Sequence, residues 1–180
     1  MNFMQSGAAS VANTIIQLSR FPYAGGSIFF KGSGGGFGLI HQQNDKNIIP
    51  ARTGAYWTML LASKLLVGGQ PVKVDISKTK NNVIDCMAVI KSNKLIQSII
   101  IVNKSDSTHF LNFSIEPSNP VEMNLCFIEL PIARKRNDYR SINKKDLRFM
   151  KTKFPLKKPI EIKPRGVIFI TNDREVVNEL

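Results

Sequence analysis

The strongest constraint on the fold is a change of hydrophobic period at the glycine pair Gly68 and Gly69. Before this pair, residues 51–67 are apolar on nearly every side, which predicts a helix that is packed on more than one face. From Pro71 onward, apolar and polar residues alternate, which is the period of half-buried β-strands. A glycine pair is also a typical helix stop. The chain therefore joins a helical part to a part that is mostly β-structure.

The β-part consists of short apolar runs, separated by turn residues at intervals of about ten residues. This spacing is typical of an antiparallel β-sandwich, in which each strand turns half of its side chains towards the core. The predicted strands comprise residues 72–76, 83–90, 95–103, 108–115 and 121–130, followed by 160–162 and 167–171 as a closing pair.

Residues 1–69 follow an α/β order. An amphipathic helix is predicted for residues 6–20, because apolar residues recur there at helical spacing. Residues 27–31 are aromatic and β-branched, which indicates a strand buried on both faces. A glycine-rich loop, GSGGGFG at residues 32–38, separates this strand from the apolar helix. The predicted fold class is α+β: a small helix–strand–helix piece in residues 1–69 and an antiparallel β-sandwich in residues 70–180.

The glycine-rich loop does not carry a nucleotide-binding motif. It lacks the Gly-Lys-Ser/Thr ending of a P-loop, and no helix opens directly after it as the dinucleotide fingerprint requires. We interpret the loop as a turn whose glycines allow positive φ. No cofactor is predicted.

The two cysteines, Cys86 and Cys126, lie far apart in apolar runs, and neither has the spacing of a metal ligand. Buried free thiols are favoured over a disulfide, and no metal is predicted. No apolar run approaches the roughly 18–20 residues that a membrane span needs, so no membrane partner is expected. The first residues lack the charged and apolar regions of a signal peptide, and the cellular location is left open.

Basic residues are concentrated in one region of the chain. The net charge is +12, and 13 of the 25 lysines and arginines lie between residues 131 and 165. A solvated loop is one interpretation; contact with an anionic glycan or with nucleic-acid phosphate is the other. The candidate contact residues are Arg134, Lys135, Arg136, Arg140, Lys144, Lys145 and Arg148.

The same charge leads to a structural prediction for residues 131–159. Burying unpaired ammonium and guanidinium groups costs too much free energy for such a segment to enter a core. We therefore predict a long, mobile connection that projects from the sandwich, with a short helix around residues 144–150. A connection of this length is usually functional or disordered.

Three pieces of the chain resemble a known family. They are GFGLI (residues 36–40) followed by Pro50, AYWTMLLASKLLVGG (55–69), and KLIQSIIIVNKS (94–105) with IEIKPRGVIFI (160–170). In this order they resemble the C-terminal part of retaining glycoside hydrolases with a (β/α)8 barrel and a trailing β-sandwich, of the α-L-arabinofuranosidase and β-xylosidase type. The resemblance implies that residues 6–20 are the seventh barrel helix, 27–31 the eighth strand, 50–67 the eighth helix and 71–180 the sandwich.

The resemblance also implies what the chain lacks. Retaining glycosidases use two carboxylates about 5 Å apart, and in the resembled family these are glutamates on the fourth and seventh barrel strands. Both would precede Met1, so no catalytic residue is assigned and the chain alone is expected to be inactive. Phe37 and His41 would lie at the barrel mouth and line the substrate, although an ordinary loop is an alternative. Trp57 is expected to be a core residue and His109 a surface histidine.

Two functions follow as hypotheses. The first is a non-catalytic C-terminal portion of a glycoside hydrolase acting on plant or microbial polysaccharide, with carbohydrate and the N-terminal barrel portion or another subunit as partners. The alternative is a free-standing β-sandwich module that contacts an acidic glycan or nucleic acid, a polyanion in either case, through the basic segment.

Overall fold

The computed structural model describes residues 3–20, 40–41, 51–72, 74–76, 83–91, 96–112, 123–130, 142–154, 156 and 158–179. Within these ranges the chain forms helices, strands and a 3-10 turn at Lys144–Asp146. The helices are α1 (Phe3–Ser19), α2 (Gly54–Leu65) and α3 (Arg174–Glu179). The strands are β1 (Ile40–His41), β2 (Ala51–Arg52), β3 (Gln70–Val72), β4 (Ile84–Lys91), β5 (Ile96–Asn103), β6 (His109–Leu111), β7 (Met123–Glu129), β8 (Arg148–Phe154), β9 (Ile160–Ile162) and β10 (Val167–Thr171).

The centre of the fold is a six-stranded antiparallel sheet in the order β3-β4-β5-β10-β7-β8. The last strand in the chain, β10, lies between β5 and β7, and all of its residues are buried. Phe169 pairs with Ile100 of β5 on one side and with Ile128 of β7 on the other. A strand that is covered on both faces is apolar at nearly every position, and this is why β10 does not alternate.

Helices α1 and α2 cover one face of this sheet. Ile16 of α1, Leu61 of α2 and Phe169 of β10 are fully buried in the shared core. The two helices approach closely because Gly54 has no side chain: a Cβ atom at this position would lie 3.1 Å from the Cβ of Ala8. Burying a large apolar side chain contributes about 1.5–3 kcal/mol, so this core holds the helices firmly on the sheet.

The opposite face of the sheet is covered by a small antiparallel pair of strands, β6 and β9. Ile160 and Ile162 of β9 are buried in a second core together with Ile101, Phe127 and Ile168. The fold is thus mixed α and β, as predicted, with an antiparallel sheet as its main element. The β-sandwich stays a prediction, since the second β-layer has only two strands within the described ranges.

Helices α1 and α2 were predicted and differ from the prediction mainly at their starts, whereas α3 was not predicted. Helix α2 begins after Thr53, whose Oγ1 accepts a hydrogen bond from the Tyr56 N–H at 3.2 Å and so caps the helix. The predicted start near Pro50 is wrong, because Ala51–Arg52 pairs with Ile40–His41. The predicted stop is confirmed, since Gly68 has a φ of +78°.

Most of the predicted strands are confirmed, and two features of them are wrong. The residues near Val72, Val74 and Ile76 are exposed, and β3 ends at Val72, so they do not form a half-buried strand. The predicted closing pair is also wrong: β9 pairs with β6, whereas β10 enters the main sheet. The predicted strand at residues 27–31 lies outside the described residues.

The prediction for the basic segment is wrong in its described part. The segment contains a single 3-10 turn in place of the short helix, and Arg148–Phe154 forms the edge strand β8, paired with β7. Leu147 is buried in the helix-side core, and Phe149 packs against it. The prediction assumed that this segment could enter the fold only by burying its charges. In an edge strand the lysines remain exposed while the apolar residues between them are packed.

Both parts of the chain share one core. The buried residues of α1 and α2 contact those of the six-stranded sheet directly. The division into residues 1–69 and 70–180 stays a prediction about how the chain is organised. Within the described residues, no helix combines the length and the apolar character that crossing a membrane requires.

Candidate functional site

A groove of about 530 Å³ lies on the helix-covered side of the sheet, beyond the area that α1 and α2 occupy. Its floor consists of residues of β7 and β8, and one wall consists of α3 and the residues that lead into it. Its volume falls within the range typical of ligand pockets. The lining residues are Asn124, Leu125, Cys126, Lys151, Thr152, Lys153, Thr171, Asn172, Asp173, Arg174, Val177 and Asn178.

Three cationic side chains line this groove. Lys151 and Lys153 are separated by one residue of β8, so both point to the same face of the sheet, about 7 Å apart along the strand. Arg174, the first residue of α3, lies in the wall that this helix forms. All three residues are exposed. A concave surface lined by charges of one sign concentrates counter-ions more strongly than a flat one.

Two residues of the lining, Asp173 and Cys126, have side chains that can carry negative charge. Asp173 is buried, and its carboxylate accepts a hydrogen bond from the Val176 N–H at 3.2 Å, which caps α3. Desolvation raises the pKa of the Cys126 thiol, although the nearby Lys151 ammonium lowers it. The thiol therefore stays neutral at physiological pH. Both cysteines are free, as predicted; Cys126 is buried and Cys86 is half-buried.

The structure places some of the predicted contact residues outside this groove. Lys144 and Lys145 are exposed in the 3-10 turn, and Arg148 lies 3.4 Å from the Glu129 carboxylate. His41 is described only as part of β1. Phe37, Arg134, Lys135, Arg136 and Arg140 lie outside the described residues, so their roles stay predictions.

The groove cations Lys151, Lys153 and Arg174 were not among the predicted contact residues. A signal for the first two was present, because a Lys-Thr-Lys sequence after the apolar pair at 149–150 has the period of a strand and puts both ammonium groups on one face. Arg174 is distant in the sequence, and no local pattern connects it to them.

Two single residues singled out in the sequence have clear environments. Trp57 is 3% exposed and its Nε1–H donates to the Ile142 carbonyl at 2.6 Å, which confirms it as a core residue. His109 is half-buried, and its Nε2 lies 2.9 Å from the Ser105 Oγ.

The buried carboxylates in the described part of the chain all have structural partners. Asp85 pairs with Arg20 and Lys104, Glu129 pairs with Lys163 at 3.0 Å and with Arg148, and Asp173 caps α3. Among the described residues, no cluster of three histidine, cysteine or acidic side chains is arranged to hold a metal ion.

Comparison with known proteins gives matches in structure only. No protein-family model matches the chain, and no curated protein matches it in sequence. A conserved exported protein from Bacteroides fragilis superposes with a TM-score of 0.64 at 12% identity over 93% of this chain. The glycoside hydrolase BuGH86, solved with neoagarooctaose, gives 0.51 at 12% identity over 74% of this chain. An arabinofuranosidase gives 0.50 at 13% identity over 76% of it.

This chain corresponds to only part of each of these proteins. It covers 34% of the exported protein, 20% of BuGH86 and 31% of the arabinofuranosidase. At these identities the likeness concerns the fold and not the chemistry. The fold of this chain is therefore one that also occurs as a part of larger glycoside hydrolase structures.

Proposed function

We propose that this chain forms the C-terminal, non-catalytic part of a glycoside hydrolase that acts on polysaccharide. In this proposal a (β/α)8 barrel supplies the catalytic carboxylates, and α1 and α2 are its seventh and eighth helices. The observation that carries the proposal is the pattern of coverage: most of this chain superposes on a minor part of BuGH86 and of an arabinofuranosidase. The sequence resemblance described above independently points to the same class of protein.

The environment of the carboxylates supports the non-catalytic role. A retaining glycosidase needs one carboxylate as nucleophile and another as acid and base, both accessible from one cleft. Asp85 and Glu129 are 4% and 7% exposed and are each held by two cations. A carboxylate that is held in this way stabilises the fold and is poorly placed to attack a sugar.

The test is an assay of the purified chain on 4-nitrophenyl α-L-arabinofuranoside and β-D-xyloside. We expect no hydrolysis above that of the buffer, from protein shown to be folded by a cooperative thermal transition. Hydrolysis that co-purifies with the chain and persists in independent preparations would overturn the proposal. In a second experiment, the chain is co-expressed with the product of the adjacent upstream reading frame. We expect a complex with glycosidase activity.

A free-standing binding module is the second candidate. The observation that favours it is that both faces of the central sheet are covered by elements of this chain, by α1 and α2 on one side and by β6 and β9 on the other. Sedimentation equilibrium and thermal unfolding distinguish the two candidates. A monomer with one cooperative transition is expected of a free-standing module, whereas self-association through an exposed barrel surface is expected of a separated barrel segment.

A further inference from the structure

We propose that the groove between α3 and strands β7 and β8 is a binding site for an acidic oligosaccharide. The inference rests on the polysaccharide-related function proposed above only for the class of ligand, and it applies to either candidate. It places the anion contact on Lys151 and Arg174, and not on the 3-10 turn at Lys144–Asp146.

The shape and charge of the groove carry this inference. Lys151 belongs to β8 and Arg174 to α3, so that a ligand in the groove meets cations from two elements. Among the described lining residues, three cations stand against the one carboxylate of Asp173, which caps α3. Ammonium and guanidinium groups form charge-assisted hydrogen bonds with carboxylate and sulfate oxygens, and these are stronger than bonds between neutral groups.

The uncharged part of the lining favours a sugar over nucleic acid. Asn124 and Asn178 offer amide groups, which can exchange hydrogen bonds with sugar hydroxyls. None of the described lining residues is aromatic, and single-stranded nucleic acids are usually bound by stacking their bases on such rings. An anionic sugar can pair with the cations through its acidic groups and with the amides through its hydroxyls.

The experiment is calorimetric titration of the whole chain with four probes: a heparin hexasaccharide, a hexagalacturonate, the uncharged cellohexaose and the single-stranded nucleic acid oligo-dT. We expect one or both acidic probes to bind and cellohexaose not to bind. The two acidic probes separate sulfate from carboxylate recognition. The logarithm of the affinity should fall linearly with the logarithm of the salt concentration.

The variants assign the site. The double variant Lys151→Gln/Arg174→Gln should lower the affinity about tenfold or more, since each lost charged contact weakens binding several-fold. It should also reduce the salt slope by about one for each cation removed. The matched control, Lys144→Gln/Lys145→Gln, removes the same charge from an exposed turn and should leave the affinity within about twofold. Both proteins must keep the unfolding midpoint of the wild type.

Four results would overturn the proposal. They are an absence of binding by both acidic probes, equal binding of cellohexaose, an equal loss in the control variant, and groove-dependent binding of oligo-dT that is tighter than that of the sugars. The last result would identify the ligand class as nucleic acid. None of these results bears on the hydrolysis assays above, so a failure here is distinguishable from a failure of the glycosidase proposal.

Discussion

Arg20, at the end of α1, forms an ion pair with Asp85, a residue of β4 that is 4% exposed. The Nε2–H of Gln17 donates to the second oxygen of the same carboxylate at 2.6 Å, and the backbone N–H of Cys86 donates to the first at 3.0 Å. Lys104 of the segment after β5 lies 3.6 Å away. One buried carboxylate thereby ties the first helix to two neighbouring strands.

Replacing this carboxylate should destabilise the fold. We expect Asp85→Ala to lower the free energy of unfolding by about 1–3 kcal/mol; the loss is below that of a fully buried pair because Arg20 is half exposed. Urea unfolding measures the difference. The control is Asp106→Ala, which removes the exposed partner of Arg165 and should leave the urea midpoint unchanged. Equal urea midpoints for Asp85→Ala and Asp106→Ala would contradict the stabilising role of Asp85.

A buried amide joins the loop after β5 to the turn between β9 and β10. Asn103 is fully buried, and its Nδ2–H group donates to the carbonyls of Ser107 at 2.7 Å and Lys163 at 2.9 Å. We expect Asn103→Asp to cost about 2–4 kcal/mol, because a carboxylate would face these carbonyls without donors. Asn112 is exposed, and Asn112→Asp should change stability by no more than about 0.5 kcal/mol. Denaturant titration measures the free energy of unfolding of both variants. Similar losses in the two variants would show that Asn103 does not stabilise this junction.

The basic segment should contribute to stability through its apolar residues. Leu147 is 4% exposed in the helix-side core, so Leu147→Ala should cost about 2–4 kcal/mol. Lys145, two residues earlier, is exposed, and Lys145→Ala should be neutral within about 0.5 kcal/mol. The comparison is made by thermal and denaturant unfolding. A neutral Leu147→Ala variant would mean that the segment is attached only loosely.

The thiol of Cys86 predicts a loss of stability at alkaline pH. Desolvation and the neighbouring Asp85 raise its pKa from 9.0 to about 11, against the opposing effect of Arg20. Between these values the unfolded chain releases the proton and the folded chain keeps it. The free energy of unfolding therefore falls as the pH rises through this window, by about 1–2 kcal/mol for this group.

The measurement compares wild type with Cys86→Ala, since other groups titrate in the same range. From pH 9 to pH 11, the free energy of unfolding of the wild type should fall relative to that of Cys86→Ala. The thiol should also react with iodoacetamide at pH 8 far more slowly in the folded chain than in urea. Parallel pH profiles for the two proteins would show that the raised pKa has no effect on stability.

Local patterns determined much of the secondary structure. The helical spacing of apolar residues before Ser19 predicts α1, and short apolar runs between turn residues predict three of the central strands, Ile84–Lys91, Ile96–Asn103 and Met123–Glu129. The stop at Gly68 follows in the same way. These features depend on which face of a residue's own helix or strand is apolar, and neighbours in the sequence carry that information.

Only the tertiary structure decided the order of the strands and the position of the groove. Strand β10 inserts between β5 and β7, and β8 forms an edge strand whose charges stay in solvent while Leu147 and Phe149 are packed. Lys151 and Arg174 meet at one groove although they lie on different elements. Strand pairing and the convergence of distant side chains depend on contacts between residues far apart in the chain. A repeat pattern records which side of a strand is buried, but not which strand lies beside it.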